Sequence, residues 1–203
     1  MRAGPSDGDC CGEKKNAGQR VSETARDLFY RRGIRAVGVD EIVHEAGVTK
    51  PSLYRSFASK DALVTACLQE HVEENRALWA ATVAEAPGDP RRQLSLLLEA
   101  IAAMMAGDEF RGCALSNAAV EFPDPEHPAH RLSCEMKTEM RANLLGLIGE
   151  LGAARPEILA DGLMLMIEGA QASRHVFCGE GPTKSLVPAA EALVEAFVGE
   201  KVE

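Results

Sequence analysis

Nineteen residues, VDEIVHEAGVTKPSLYRSF at 39–57, restrict this chain more than any other stretch, because two short helical patterns meet there across one glycine. Val39, Ile42, Val43 and Ala46 recur at helical spacing, and Gly47 supplies a residue that takes positive φ without a side-chain clash. Thr49 suits the N-cap of a second helix, and Pro51 fits its first turn, where no backbone N–H is needed. Ala46 is small enough for a steep helix crossing, while Val48, Leu53 and Phe57 fall on the side that must be buried. The pattern is a helix-turn-helix. Its outward side stays polar: Thr49, Lys50, Ser52, Tyr54 and Arg55 offer hydroxyls and cations at the end that would enter a DNA major groove.

The longer stretch GIRAVGVDEIVHEAGVTKPSLYRSFASKDAL, residues 33–63, resembles the N-terminal module of the TetR family of one-component transcriptional regulators. Leu53 followed by Tyr54, the aromatic Phe57, and Lys60 opening the next helix carry the likeness. The resemblance implies a dimeric regulator, most simply a repressor released from its operator by a small molecule. Its two recognition helices would lie ~34–36 Å apart and read a pseudo-palindrome. It also implies that Tyr54 contacts phosphate. The chain departs from the commoner family pattern at Val37 and Gly38, where Thr and Ser or Thr frequently sit. A hydroxyl contact to phosphate is lost there, although Gly still caps a helix at little energetic cost.

Roles follow for the remaining polar groups. The Thr49 hydroxyl is shared between capping and DNA, Lys50 and Ser52 reach base edges from the first turn, and Arg55 reaches a guanine or a phosphate. Lys60 and the amides after Ser59 are expected to form a second anion site at a helix N-terminus. Lys14, Lys15 and Arg20 are further phosphate candidates. Tyr54→Phe and Lys60→Ala should weaken binding to all sequences, and Lys50→Ala should also relax base preference.

The net charge of −9 fits a polyanion partner poorly until it is mapped. Residues 14–60 hold ten Lys and Arg against five Asp and Glu, a net +5, while residues 61–203 hold 11 against 23, a net −12. A basic head on an acidic body is the expected arrangement. With 46% apolar but only 4% aromatic residues, and no strand-like alternation, the chain should be all-α. We expect about nine helices: a disordered arm at 1–13, a three-helix DNA-binding head at 14–62 and a helical ligand-binding and dimerisation bundle at 63–203. No apolar run spans a membrane and no secretory signal is recognisable, so a cytoplasmic location is expected.

The body offers a candidate pocket for a small, mostly hydrophobic effector. Cys113, Asn117 and Glu121 are four apart and share a helix face, as do Glu168, Gln171 and His175 further on. Trp79, Met104, Met105 and Phe110 could wall such a site, while Glu168 and His175 could equally be satisfied at a dimer interface. Residues 158–177 are apolar on more than one side, so Leu159, Leu163, Met166 and Ala170, with Leu186, Ala190, Leu193 and Phe197 of a last helix, are expected at a symmetric four-helix interface.

Of the six cysteines, none has a C-x-x-C or zinc-finger spacing, and no metal or other cofactor is expected. Cys113 is the exception to simple packing, since Arg111 nearby would favour a thiolate; a redox or electrophile sensor acting through Cys113 is the alternative reading. No phosphate loop, nucleophile elbow or metal-binding His pair marks an enzyme.

Overall fold

The computed structural model describes residues 15–177 and 181–199, and among them all regular elements are helical. Lys14, the arm expected at 1–13 and Cys178 lie outside the described residues, as does the side chain of His175.

Local chemistry sets where each helix starts. Helix α1, Ala17–Arg32, opens on a reciprocal capping box: the Asn16 side chain accepts from Gln19 N–H and the Gln19 side chain accepts from Asn16 N–H, both at 2.9 Å. Helix α2, Val39–Glu45, has no side-chain cap at Gly38 but carries Asp40 and Glu41 in its first turn, favourable at the positive end of the helix dipole. Gly47 then turns the chain at φ 61°. Helix α3, Lys50–Ser56, starts at Thr49, whose hydroxyl accepts from Ser52 N–H. Ser59 caps the long α4, Lys60–Glu85, by accepting from Ala62 N–H at 3.0 Å. Helices α5, Pro90–Ala106, α7, Pro128–Glu150, and α8, Pro156–Val176, each begin at proline, where the missing N–H is no loss. Between them runs α6, Ala114–Glu121; a 3-10 turn, Pro182–Ser185, leads into α9, Leu186–Val198.

Two apolar cores result. The first joins Val21, Ala25 and Phe29 of α1, Ile42 of α2 and Leu53 of α3 to Leu63, Val64 and Leu68 of α4. It does not stop at the head, because Leu115 and Ala118 of α6 and Met136 of α7 belong to it. The second joins α5, α7, α8 and α9 through Leu98, Met105, Ile148, Leu163, Ile167 and Ala190. Each fully buried Leu or Ile contributes about 1.5–3 kcal/mol. Helix α7 contributes to both cores, Met136 to the first and Leu144 and Ile148 to the second.

The second core already takes up, inside a single chain, part of the expected dimer interface. Leu159, Leu163 and Ala190 are 0% exposed, Leu186 is 3% and Ala170 is 9%, all inside a single chain, while Met166, Leu193 and Phe197 pack on the same core. Helix α8 is apolar on two sides, and periodicity does not say which side faces inward. Close approach of α9 decides it: a Cβ on Gly162 would sit 3.0 Å from Leu193 Cδ2. What α8 leaves outside is another stripe, with Ile158 54% and Leu165 75% exposed.

Candidate functional site

Helix α3 presents the polar face that the sequence predicts. Leu53 is fully buried and anchors it, while Thr49, Lys50 and Arg55 are exposed and Tyr54 is 49% exposed. The Thr49 and Ser52 hydroxyls lie 3.0 Å apart, tying the cap to the first turn. The Lys50 ammonium pairs with Asp40 of α2 at 2.7 Å, which raises its pKa. Arg20 is exposed on α1, and Lys15 pairs with Glu23 at 2.7 Å. The Lys50 and Lys15 ion pairs both lie in solvent and are easily exchanged for phosphate.

Lys60 is placed differently from its expected role. Its ammonium donates to the Ile34 carbonyl at 2.6 Å and lies 5.7 Å from the centre of the Phe29 ring. Burial lowers its pKa against the pull of Asp61 and Glu121. It therefore joins the start of α4 to the 33–37 turn instead of standing free at a helix N-terminus, and Lys60→Ala should first loosen the head.

Below the head, a cavity of about 380 Å³ opens among α1, α4, α5, α6, α7 and α8. Trp79, Ile101, Met104 and Phe110 supply apolar wall, and Cys113, Lys137 and Gln171 supply polar atoms. Gln171 is 8% exposed, and its Oε1 has no hydrogen-bond partner among the described residues. A buried orphan acceptor costs about 1–3 kcal/mol, so it marks a place where a ligand donor would be gained. Cys113 is the N-cap of α6. Lys137 Nζ donates to its Sγ at 3.3 Å and also to Glu168, which in turn accepts from Ser116 Oγ at 2.8 Å. Burial opposes ionisation of Cys113, but a hydrogen bond from His71, the Lys137 charge and the Ser116 N–H and hydroxyl prevail, bringing its pKa down to about 6.

The remaining candidates scatter. Asn117 donates to the Arg111 carbonyl at 2.9 Å, and Glu121 faces the head. Both line a second cavity of about 400 Å³ between α1, α4 and α6, where the polar walls are already matched: Arg26 pairs with Glu74, and Glu121 accepts two backbone N–H groups. Glu168 belongs to the Lys137 ion pair and is not itself part of the first cavity's lining. Sequence reasoning missed Tyr30, His71 and Lys137, which reach the cavity from α1, α4 and α7. Only the tertiary fold brings them together, and no local spacing signals it.

Helix α6 is attached to the head at both ends. At its N-terminal side, the Tyr30 hydroxyl donates to the Gly112 carbonyl at 2.9 Å and accepts from Arg111 N–H at 2.8 Å. At its C-terminal end, the Glu121 carboxylate accepts from Ile34 N–H at 2.9 Å and Arg35 N–H at 2.7 Å, closing the loop before α2.

Residues 22–67 match the family model described as bacterial regulatory proteins, tetR family. The chain is also similar in structure to SCO4454, a TetR-family transcriptional regulator from Streptomyces coelicolor, with TM-score 0.86 and 30% identity over 90% of this chain and 96% of that one. The chain belongs to the TetR family. Among curated relatives, the HTH-type transcriptional activator FasR of Mycolicibacterium smegmatis is 32% identical over 69% of this chain and 64% of its own length. The HTH-type transcriptional repressor DhaR of a Mycobacterium species is 31% identical over 51% of each. The chain thus spans between half and two thirds of these two relatives. Its TetR-family fold and helix-turn-helix are those of a DNA-binding transcriptional regulator, and among the described residues no helix is long and apolar enough to cross a membrane.

Proposed function

We propose that the chain works as a dimeric repressor in the cytoplasm, holding a pseudo-palindromic operator until a small effector enters the cavity of about 380 Å³ beneath the head. The observation that carries this reading is the double attachment of α6: its first residues border the cavity beside Cys113, and both of its ends hydrogen-bond to the head. A ligand that displaces α6 shifts the Tyr30 and Glu121 contacts together, and with them the spacing of two recognition helices. The effector is small and mostly apolar, matching Trp79, Ile101 and Phe110, with a donor for Gln171. Base contacts fall to Lys50 and Ser52, phosphate contacts to Tyr54, Arg55, Arg20, Lys15 and Lys14.

Dimerisation is assigned to the outer stripe of α8, with Ile158 and Leu165, and to the exposed Ala189, Ala192 and Ala196 of α9. Small side chains there allow helices of two copies to approach closely. FasR is an activator and DhaR a repressor, so the direction of control is read by a reporter gene placed under the operator.

A differential effector affinity of about 1–3 kcal/mol between the two states changes operator affinity ~5- to 150-fold. The test is reciprocal linkage in a titration of the dimer with duplex and effector. Operator DNA is expected to weaken effector binding by the same factor that effector weakens DNA binding. Independent binding of the two would contradict the proposal.

A further inference from the structure

One wall of the effector cavity holds a nucleophile with a cation beside it. Lys137 Nζ lies 3.3 Å from Cys113 Sγ, Glu168 holds that ammonium in place, and His71 completes the ring of groups facing the sulfur from α4. Gln171, one turn along α8 from Glu168, lines the same cavity, and its Oε1, on a side chain more than nine-tenths buried, has no hydrogen-bond partner among the described residues. Thiol, cation and orphan acceptor thus converge on an apolar cavity.

We propose that Cys113 captures the effector covalently, the ligand being a small conjugated ketone or aldehyde that adds its β-carbon to the Cys113 sulfur. This rests on the reading of the cavity as the effector site. In the addition, a sulfur lone pair forms the S–Cβ bond, the alkene π pair moves toward the carbonyl, and the oxygen becomes an enolate held by the Lys137 ammonium. The α-carbon then takes one proton from Lys137 or water, replacing the proton the thiol had released. No electron is gained or lost overall, so neither an oxidant nor a reductant takes part.

The neighbourhood favours this chemistry over disulfide formation. The group against Cys113 is an amine, not a second thiol, and Cys67 is buried with its pKa pushed up to about 11. Thiolate is plentiful at neutral pH because the Cys113 pKa is about 6, although burial alone would raise it. The charged and titratable groups around it are His71 from α4, Lys137 from α7, Glu168 from α8, Tyr30 from α1 and Arg111 from the preceding loop. The start of α6 adds the positive end of a helix dipole. Trp79, Ile101 and Phe110 take the carbon skeleton, and Gln171 selects for a hydroxyl or amide N–H on it.

The experiment treats the full chain with 2-cyclohexen-1-one, and in parallel with saturated cyclohexanone, and follows intact mass, peptide mapping and the shift of bound duplex. Cys113 is expected to be labelled ahead of the exposed Cys134, with a rate that levels off above about pH 7. Cys113→Ser should lose both the fast label and the release of DNA. Lys137→Ala should slow labelling at pH 7 by about tenfold or more, and Lys137→Arg should restore much of it. Labelling of Cys113 no faster than Cys134 would overturn the proposal. So would a rate still climbing at pH 9, or labelling that leaves DNA binding unchanged. Equal release by cyclohexanone, retained in Cys113→Ser, would overturn covalent capture while leaving operator control by a ligand intact. Mass readouts need no DNA, so a chain that fails to bind duplex contradicts the operator reading separately.

Discussion

At the scale of single residues, the same side chain changes meaning with its neighbour. Cys113 was legible in the sequence as a thiol near Arg111, yet the group that touches it is Lys137, 24 residues away and invisible to any local pattern. Lys60 shows the same dependence: its position at the opening of a helix reads as an anion site, and the fold adds a bond to the Ile34 carbonyl and a place over the Phe29 ring that no local spacing signals. The Cys113 environment has a consequence for stability. Its thiol pKa of about 6 in the fold lies below the ordinary 9.0, so between those values the unfolded chain holds a proton that the folded chain has released. Stability from this source therefore grows as pH rises from 6 to 9, is complete above 9 and is lost as pH falls through 6. Denaturant midpoints of the protein and of Cys113→Ser should diverge over that interval in favour of the native thiol. A constant difference across it would show that the thiolate is not specially held.

At the scale of elements, helix ends were easier to read than helix faces. Thr49 and Ser59 cap where the sequence places them, because a cap is a local contest between side chain and backbone, and Asn16 opens α1 by the same chemistry. Which side of α8 turns inward is a tertiary question, settled by the fit of Gly162 against Leu193, whereas the sequence reading assigned Leu159, Leu163, Met166 and Ala170 to the interface between copies. Two glycines in the recognition motif are expected to behave differently. Gly47 has φ 61°, so Gly47→Ala should destabilise the head by about 1–2 kcal/mol despite open space around it. Gly38 caps α2 at φ −90°, and a Cβ added there would meet nothing within 4 Å, so Gly38→Ser should gain a few tenths of a kcal/mol and add a hydroxyl for phosphate. Thermal melts of the two variants, together with duplex affinity for Gly38→Ser, check both. Equal melting of Gly47→Ala and the native chain would mean that the turn relaxes without strain.

At the scale of the whole molecule, charge and apolar surface divide the labour. Residues 14–60 carry +5 and residues 61–203 carry −12, a split read directly from the sequence that suits a DNA-facing head on a body that resists nonspecific adhesion. The TetR-family architecture was equally legible, since its signal is concentrated in residues 33–63, whereas the cavity is assembled from six helices and has no sequence signature. The outer stripe of α8 should hold two copies together, so Leu165→Glu, which changes an exposed residue and leaves both cores intact, should give a folded monomer by light scattering with much weaker duplex binding. An unchanged dimer would move the interface elsewhere. The most direct test of the central claim is selection of duplexes from a random pool by the purified chain, followed by titration of the winner across salt with the native chain and Lys50→Ala. The account predicts an inverted repeat with half-sites about one helical turn apart, an affinity falling about a thousandfold or more between about 50 and 200 mM salt, and relaxed base preference in Lys50→Ala. A pool without an inverted repeat, bound with little salt dependence and equally well by Lys50→Ala, would contradict it.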